Sequence, residues 1–128
     1  MDLKVRGIRG AITAKDNTVP SIREAVTELL QGITTQNNFN PQDIVSVVFT
    51  VTQDLDAVFP AAIARELPTW KDVPLLDVQQ MHVPGSLVLC IRVLIYINTD
   101  QPPGEIKHLY LREAEKLRPD LSNCFQNG

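Results

Sequence analysis

The sequence is short of the residues from which most chemical sites are built. It has 2 cysteines and 2 histidines in 128 residues. Cys90 sits in an aliphatic run and Cys124 in a polar tail, which makes neither a disulfide framework nor a metal-ligand spacing. Free thiols in a reducing cytoplasm are the expectation. His82 and His108 lie far apart with no accompanying Cys or Asp pattern, so neither metal nor cofactor is expected. A glycine-rich phosphate loop and a nucleophile elbow are both missing. No basic run of five or more occurs, and 12 Lys+Arg stand against 15 Asp+Glu for a net charge of −3. Nucleic acid, whose phosphates call for a cationic surface, is therefore not an expected partner. The longest apolar stretch, Leu87 to Ile97, is interrupted by Arg92 and falls short of the roughly 18 residues that cross a bilayer, so no membrane partner is expected. Met1 to Arg6 carries charges where a signal peptide is apolar, which speaks against export.

What is present is an ordinary mixture, 44% hydrophobic and 21% charged, suited to one globular domain with a core of its own. Alternation marks a strand over residues 3–13, with Leu3, Val5, Gly7, Arg9 and Ala11 on one face, so that Arg9 falls on the apolar-looking side. Thr18 can cap a helix with Pro20 in its first turn. Ile22, Ala25, Val26, Leu29, Leu30 and Ile33 then recur at the helical period until the polar segment from Thr34 to Pro41. Ile44 to Thr52 is a β-branched run typical of a covered strand. Asp54 and Asp56 offer caps for a short helix through Phe59, Ala61 and Arg65, ended before Pro68. Val73 to Val83 is a candidate strand and Leu87 to Asn98 the strongest one. Glu105 to Leu117 has helical spacing. The order β-α-β-α-β-β-α predicts an α+β fold, a mixed β-sheet with helices packed on one face. The domain is expected over residues 1–121, with the polar residues 122–128 as a mobile tail.

Arg92 is the most informative residue. A guanidinium in the middle of a strand apolar on both faces needs an anion. That anion is either an Asp or Glu of the chain or a ligand carboxylate or developing oxyanion. Arg9 repeats the pattern on the first strand, where Gly7 and Gly10 allow a bulge or the close approach of a ligand. With Arg118 before Pro119, the arginines outline a site for a polyanionic small molecule. His108 reads as structural or solvent-facing, and Tyr110, Trp70, Phe59 and Met81 as core residues.

Six motifs occur in order at compatible spacing: Arg6-Gly-Ile-Arg-Gly-Ala11, Asp54-Leu-Asp-Ala-Val-Phe-Pro60 with Ala64-Arg-Glu-Leu67, Gln79-Gln-Met81, Cys90-Ile-Arg-Val93, His108-Leu-Tyr-Leu111 and Leu117-Arg-Pro-Asp-Leu121. In these the chain resembles, nearly end to end, the monofunctional, trimeric, sheet-rich class of chorismate mutases. The resemblance implies rearrangement of chorismate to prephenate, the branch step towards phenylalanine and tyrosine. It also implies homotrimers with a barrel-like core and active sites between subunits. That reaction is a pericyclic shift within one molecule and needs no nucleophile, base or metal. The protein has to hold a flexible dianion and stabilise the charge that separates across the breaking C–O bond.

The resemblance places Arg92 at the ether oxygen and Arg9 and Tyr110 at carboxylate. Arg65 and Arg118 would add positive charge, and Phe59, Ala61, Leu75, Leu76 and Leu117 would form apolar walls. Departures stand out. Gln80 occupies the position of a Glu that usually contacts the ring hydroxyl, and Asp77 that of a frequent Cys, which suggests a carboxylate moved from 80 to 77. A regular strand points these two residues to opposite faces, so the relocation requires a bend between them. Ala62 replaces a common Lys. Gln80 also supports a second reading, a catalytically impaired member that binds a shikimate-pathway dianion as a sensor.

Overall fold

The computed structural model describes residues 2–118. Strands β1 (Lys4–Thr13) and β4 (Cys90–Thr99) pair antiparallel along their full length. On the other edge of β4 runs β2 (Ile44–Val51), antiparallel, followed by β3 (Leu75–Gln79), parallel to β2. The two-residue β5 (Leu109–Tyr110) adds parallel to β1, so the sheet order is β3-β2-β4-β1-β5. Val and Ile dominate the long strands because their stiff branched side chains pack well on a pleated surface.

Helix α1 (Val19–Asn37) crosses one face. The Thr18 hydroxyl accepts the Ser21 N–H at 3.2 Å, and Pro20 occupies the first turn where its missing N–H costs nothing. Its buried stripe of Ile22, Ala25, Val26, Leu29, Leu30 and Ile33 joins Ile8 and Ile12 of β1 and Ile91, Val93, Ile95 and Ile97 of β4 in one core. Each large side chain removed from water there stabilises the fold by about 1.5–3 kcal/mol. The helix lies so close to β1 that a Cβ on Gly10 would stand 2.6 Å from Ile33 Cδ1 and 3.2 Å from Leu29 Cδ1. Short α2 (Pro60–Arg65) covers the same face beside β3. The result is the mixed sheet with helices on one face that the pattern predicts.

Several local expectations change. No helix forms over Glu105–Leu117. A 3-10 turn at Pro103–Glu105 leads into β5, and only Arg112–Leu117 winds, again as a 3-10 helix. The free edge of β1 competes for this segment: β5 pairs with Gly10 and Ala11, and Leu111 N–H donates to Ala11 O at 2.9 Å. β3 is shorter than the Val73–Val83 candidate, starting after Pro74. β4 starts at Cys90 because Leu89, at φ +53, breaks the extended run. α1 continues past Thr34 to Asn37 and closes on left-handed Asn38, φ +50. Asp54 and Asp56 do not cap α2, whose N-cap position is Phe59. The Asp56 carboxylate instead accepts from Asn17 Nδ2, and Asp54 holds the Leu89 N–H. The domain limit at 121 and the tail from 122 fall outside the described residues. Among the described residues, no helix is long and apolar enough to cross a membrane.

Candidate active site

The sheet face turned away from α1 carries the cations. Ile8, Gly10 and Ile12 point at the helix, so alternation sends Arg9, with Gly7 and Ala11, to the other side. The packing face of β1 is thus the one opposite Arg9. Arg92 shares Arg9's side of the sheet, since Ile91 and Val93 are core. Register brings the site together: Ala11 lies opposite Arg92 on one flank and Tyr110 on the other, while Arg9 lies opposite Leu94. Arg9 and Arg92 are therefore diagonal neighbours, about 7–8 Å apart at this spacing. Ala11, Cys90, Tyr110 and Ala114 form a small second core with Leu87 and Leu117 packed on it, which sets Leu117 beside this row.

Both arginines are exposed, and among the described residues neither joins an ion pair. The internal Asp or Glu that Arg92 could have claimed is absent there, because the strand face that carries it is open to solvent and not desolvated. Burial, opposed by the nearby charge of Arg92, holds the Cys90 thiol above its ordinary pKa and so in its unreactive form. His108 completes this end. Its Nδ1 accepts the Arg9 N–H at 2.9 Å. Burial first, then the charges of Arg9 and Arg118, keep its pKa below 6.5. The ring is neutral with its proton on Nε2, and Arg118 lies within electrostatic reach of it.

Gln80 belongs to the same face. β3 pairs with β2 without a shift from Leu75 opposite Val47 to Gln79 opposite Val51, and Gln80 N–H donates to Val51 O at 2.8 Å. Leu76, Val78 and Gln80 consequently face the cations, whereas Leu75 and Asp77 face the helices. The bend that would unite residues 77 and 80 does not occur, and the two side chains diverge. Gln80 Oε1 and Thr50 Oγ1, the latter on the residue opposite Arg92, are the buried side-chain oxygens without a hydrogen-bond partner among the described residues. Such an orphan costs about 1–3 kcal/mol.

On the helix side, Asp77 accepts the Ala61 N–H at 3.0 Å. Burial raises its carboxyl pKa, opposed by that hydrogen bond and then by the charge of Arg65. With Val51, Leu55, Val58, Phe59 and Pro60 it lines a cavity of about 550 Å³. Ala61 is buried and Leu75 half-buried beside it, while Leu76 is exposed on the other face. Phe59 and Met81, 68% and 78% exposed, are not the core residues their type suggests, whereas Trp70 and Tyr110 are buried. One face of the sheet thus gathers Arg9, Arg92, Gln80, Tyr110, Leu117 and Arg118. Phe59, Ala61, Arg65, Leu75 and Asp77 collect on the other.

Asp54 is the residue that pattern reading assigns to the wrong task. Its carboxylate accepts the Thr52 hydroxyl and takes the Leu89 N–H at 3.0 and 3.2 Å, while Thr52 Oγ1 accepts the Cys90 N–H at 3.0 Å. This network fixes left-handed Leu89 three residues ahead of Arg92. The Thr-x-Asp spacing was the available signal.

Exposed guanidiniums on the sheet face opposite α1, a phenol, an unpartnered amide oxygen and a protonated thiol are groups that can hold and polarise a small anion and supply no activated nucleophile to attack it. Residues 5–121 match the family described as chorismate mutase type I. The chain is 43% identical over 120 residues to chorismate mutase AroH of Bacillus subtilis, covering 94% of each. To chorismate mutase AroH of Thermus thermophilus it is 47% identical over 121 residues, covering 94% of this chain and 98% of that one. A solved chorismate mutase from Clostridium thermocellum superposes with a TM-score of 0.83 at 44% identity, covering 86% of this chain and 97% of the other. The chain belongs to the type I chorismate mutase family, and it is an isomerase of that class.

Proposed function

We propose that the protein converts chorismate to prephenate at sites closed between neighbouring copies in a homotrimer, in the aromatic branch of amino-acid biosynthesis. The observation that carries this reading is the division of the site residues between two sides of one protomer's sheet: a single copy offers two half-sites. The cation face has apolar residues to bury against a neighbour, with Val5 53%, Leu76 59% and Val78 43% exposed. Free, buried Cys90 suits a reducing cytoplasm.

The ether C–O bond breaks as a C–C bond forms within the same molecule, so nothing enters or leaves. Arg92 donates to the ether oxygen as negative charge grows there, an interaction stronger in the transition state than in the ground state. Arg9 and Tyr110 bind carboxylate. Gln80 Oε1, without a partner among the described residues, accepts the ring hydroxyl. Arg65, Phe59, Ala61, Leu75 and Asp77 of the adjoining copy close the cleft, Leu76 and Leu117 add apolar wall, and Arg118 adds charge at its mouth. Water is excluded and each donor strengthened. The sensor alternative draws no support from relatives that are named as chorismate mutases.

The test is a continuous absorbance assay of chorismate loss. Arg92→Lys should lower kcat by about 10²- to 10³-fold, the loss of one preorganised donor. Unfolding and refolding it together with Arg65→Ala should restore roughly a quarter of wild-type activity, because random mixing rebuilds intact sites from two half-sites. Full activity in Arg92→Lys, or no recovery on mixing, would defeat the reading.

A further inference from the structure

Among the described residues, Arg112 is one of three non-glycine residues with positive φ, at +57. A long side chain adopts this conformation only where its surroundings enforce it, and here they do. One guanidinium nitrogen donates to Thr13 O at 3.0 Å, and another to Glu24 at 3.0 Å and Glu28 at 2.8 Å. Glu24 and Glu28 stand one turn apart on α1, where like charges repel unless a cation lies between them. The flanking backbone is held as well: Leu111 N–H donates to Ala11 O at 2.9 Å, and Glu113 N–H to Thr13 Oγ1 at 3.4 Å. Directly beyond, Ala114 is fully buried on Ala11, Cys90 and Tyr110. The 3-10 helix Arg112–Leu117 then carries Leu117 onto that cluster and Arg118 to within electrostatic reach of His108, whose ring holds the Arg9 N–H.

We propose that Arg112 is a positioning residue for the substrate: it clamps the start of the 3-10 helix to α1 and to the end of β1, and so holds Leu117 and Arg118 at the cleft. The role rests on the reading that these two residues line the site. Arg112 itself touches no substrate, because its guanidinium is spent on Glu24, Glu28 and Thr13. A positioned cation at the mouth contributes the same to bound substrate and transition state, so its displacement appears in KM and not in kcat.

Steady-state kinetics on chorismate test this. Arg112→Gln should raise KM about five-fold with kcat within about two-fold of wild type, and Arg112→Lys, which keeps a charge for Glu28, should recover part of the loss. Glu24→Gln with Glu28→Gln should raise KM similarly. Combining them with Arg112→Gln should add little, because the three residues act as one unit. Arg112→Gly suits the left-handed backbone and keeps the test open if the glutamine variant folds poorly. An unchanged KM in Arg112→Gly, a loss confined to kcat, or fully multiplicative effects in the combined variant would overturn the role. Arg118→Ala separates two failures. If it raises KM while the Arg112 variants do not, the clamp alone falls; if neither does, the assignment of Arg118 to the site falls with it.

Discussion

Asp54 joins two loops through a single carboxylate, and its removal has a calculable effect. In Asp54→Ala the Leu89 N–H loses its acceptor within a half-buried turn, which costs about 1–3 kcal/mol. The Thr52 hydroxyl loses one partner, about 1 kcal/mol more, while retaining the Cys90 N–H. Against this, Leu89 is freed from a left-handed backbone worth about 1 kcal/mol. The net loss is about 1–3 kcal/mol. With a urea dependence of about 2 kcal/mol per molar, the unfolding midpoint should fall by about 0.5–1.5 M. Circular dichroism at fixed protein concentration reads this, since assembly adds a concentration term to stability. Asp54→Asn keeps one acceptor oxygen and should lose about half as much. A midpoint within about 0.3 M of wild type for the alanine variant would show that the Leu89 turn holds without Asp54. Equal losses in both variants would show that charge, not the acceptor, matters.

Two further outcomes follow. The folded pKa of His108 lies below its ordinary 6.5, so its stabilising bond to Arg9 is fully present above that value and is lost as pH falls through the folded value. Urea midpoints at pH 8 and pH 5.5 should therefore differ more for wild type than for His108→Gln, which keeps an acceptor that does not titrate; equal differences would refute this. Asp77→Asn preserves the acceptor for Ala61 N–H, so its thermal midpoint should move by less than about 2 °C. Its kcat/KM should nevertheless fall several-fold, and Gln80→Glu should raise kcat; an unchanged kcat/KM would leave Asp77 as an anchor for α2 only.

Long-period features were legible in the sequence. The α1 stripe, its Thr18 cap and the covered strands β2 and β4 depend on local spacing, and they formed where the spacing indicated. Residues 105–117 deceived because Ile106, Leu109 and Tyr110 have helical spacing, while the decisive influence is the unpaired edge of β1 nearly a hundred residues earlier. Arg9 was assigned to the apolar side because Leu3, Val5 and Ala11 are apolar. The deciding contact, α1 against Gly10, is tertiary and leaves no mark in a run of eleven residues. The candidate site residues were found by their motifs, but their division between two faces of the sheet required the register of β3 on β2. Arg112 acts on partners far along the chain and has no local signature, and Asp54 shows locally only the Thr-x-Asp spacing to Thr52, not its hold on Leu89.

The strand order has a consequence for synthesis on the ribosome. β1 emerges first, yet its neighbours are β4 and β5, made from residues 90–99 and 109–110. Until then its apolar face has only α1 to cover it, and both of its backbone edges stay open. The nascent chain must therefore carry an unpaired strand until residues 90–99 have been made. Arg9 acquires Arg92 and Tyr110 as neighbours only once residues 90–110 have been made, so the face that carries the cations forms after the helix-covered face has begun to pack.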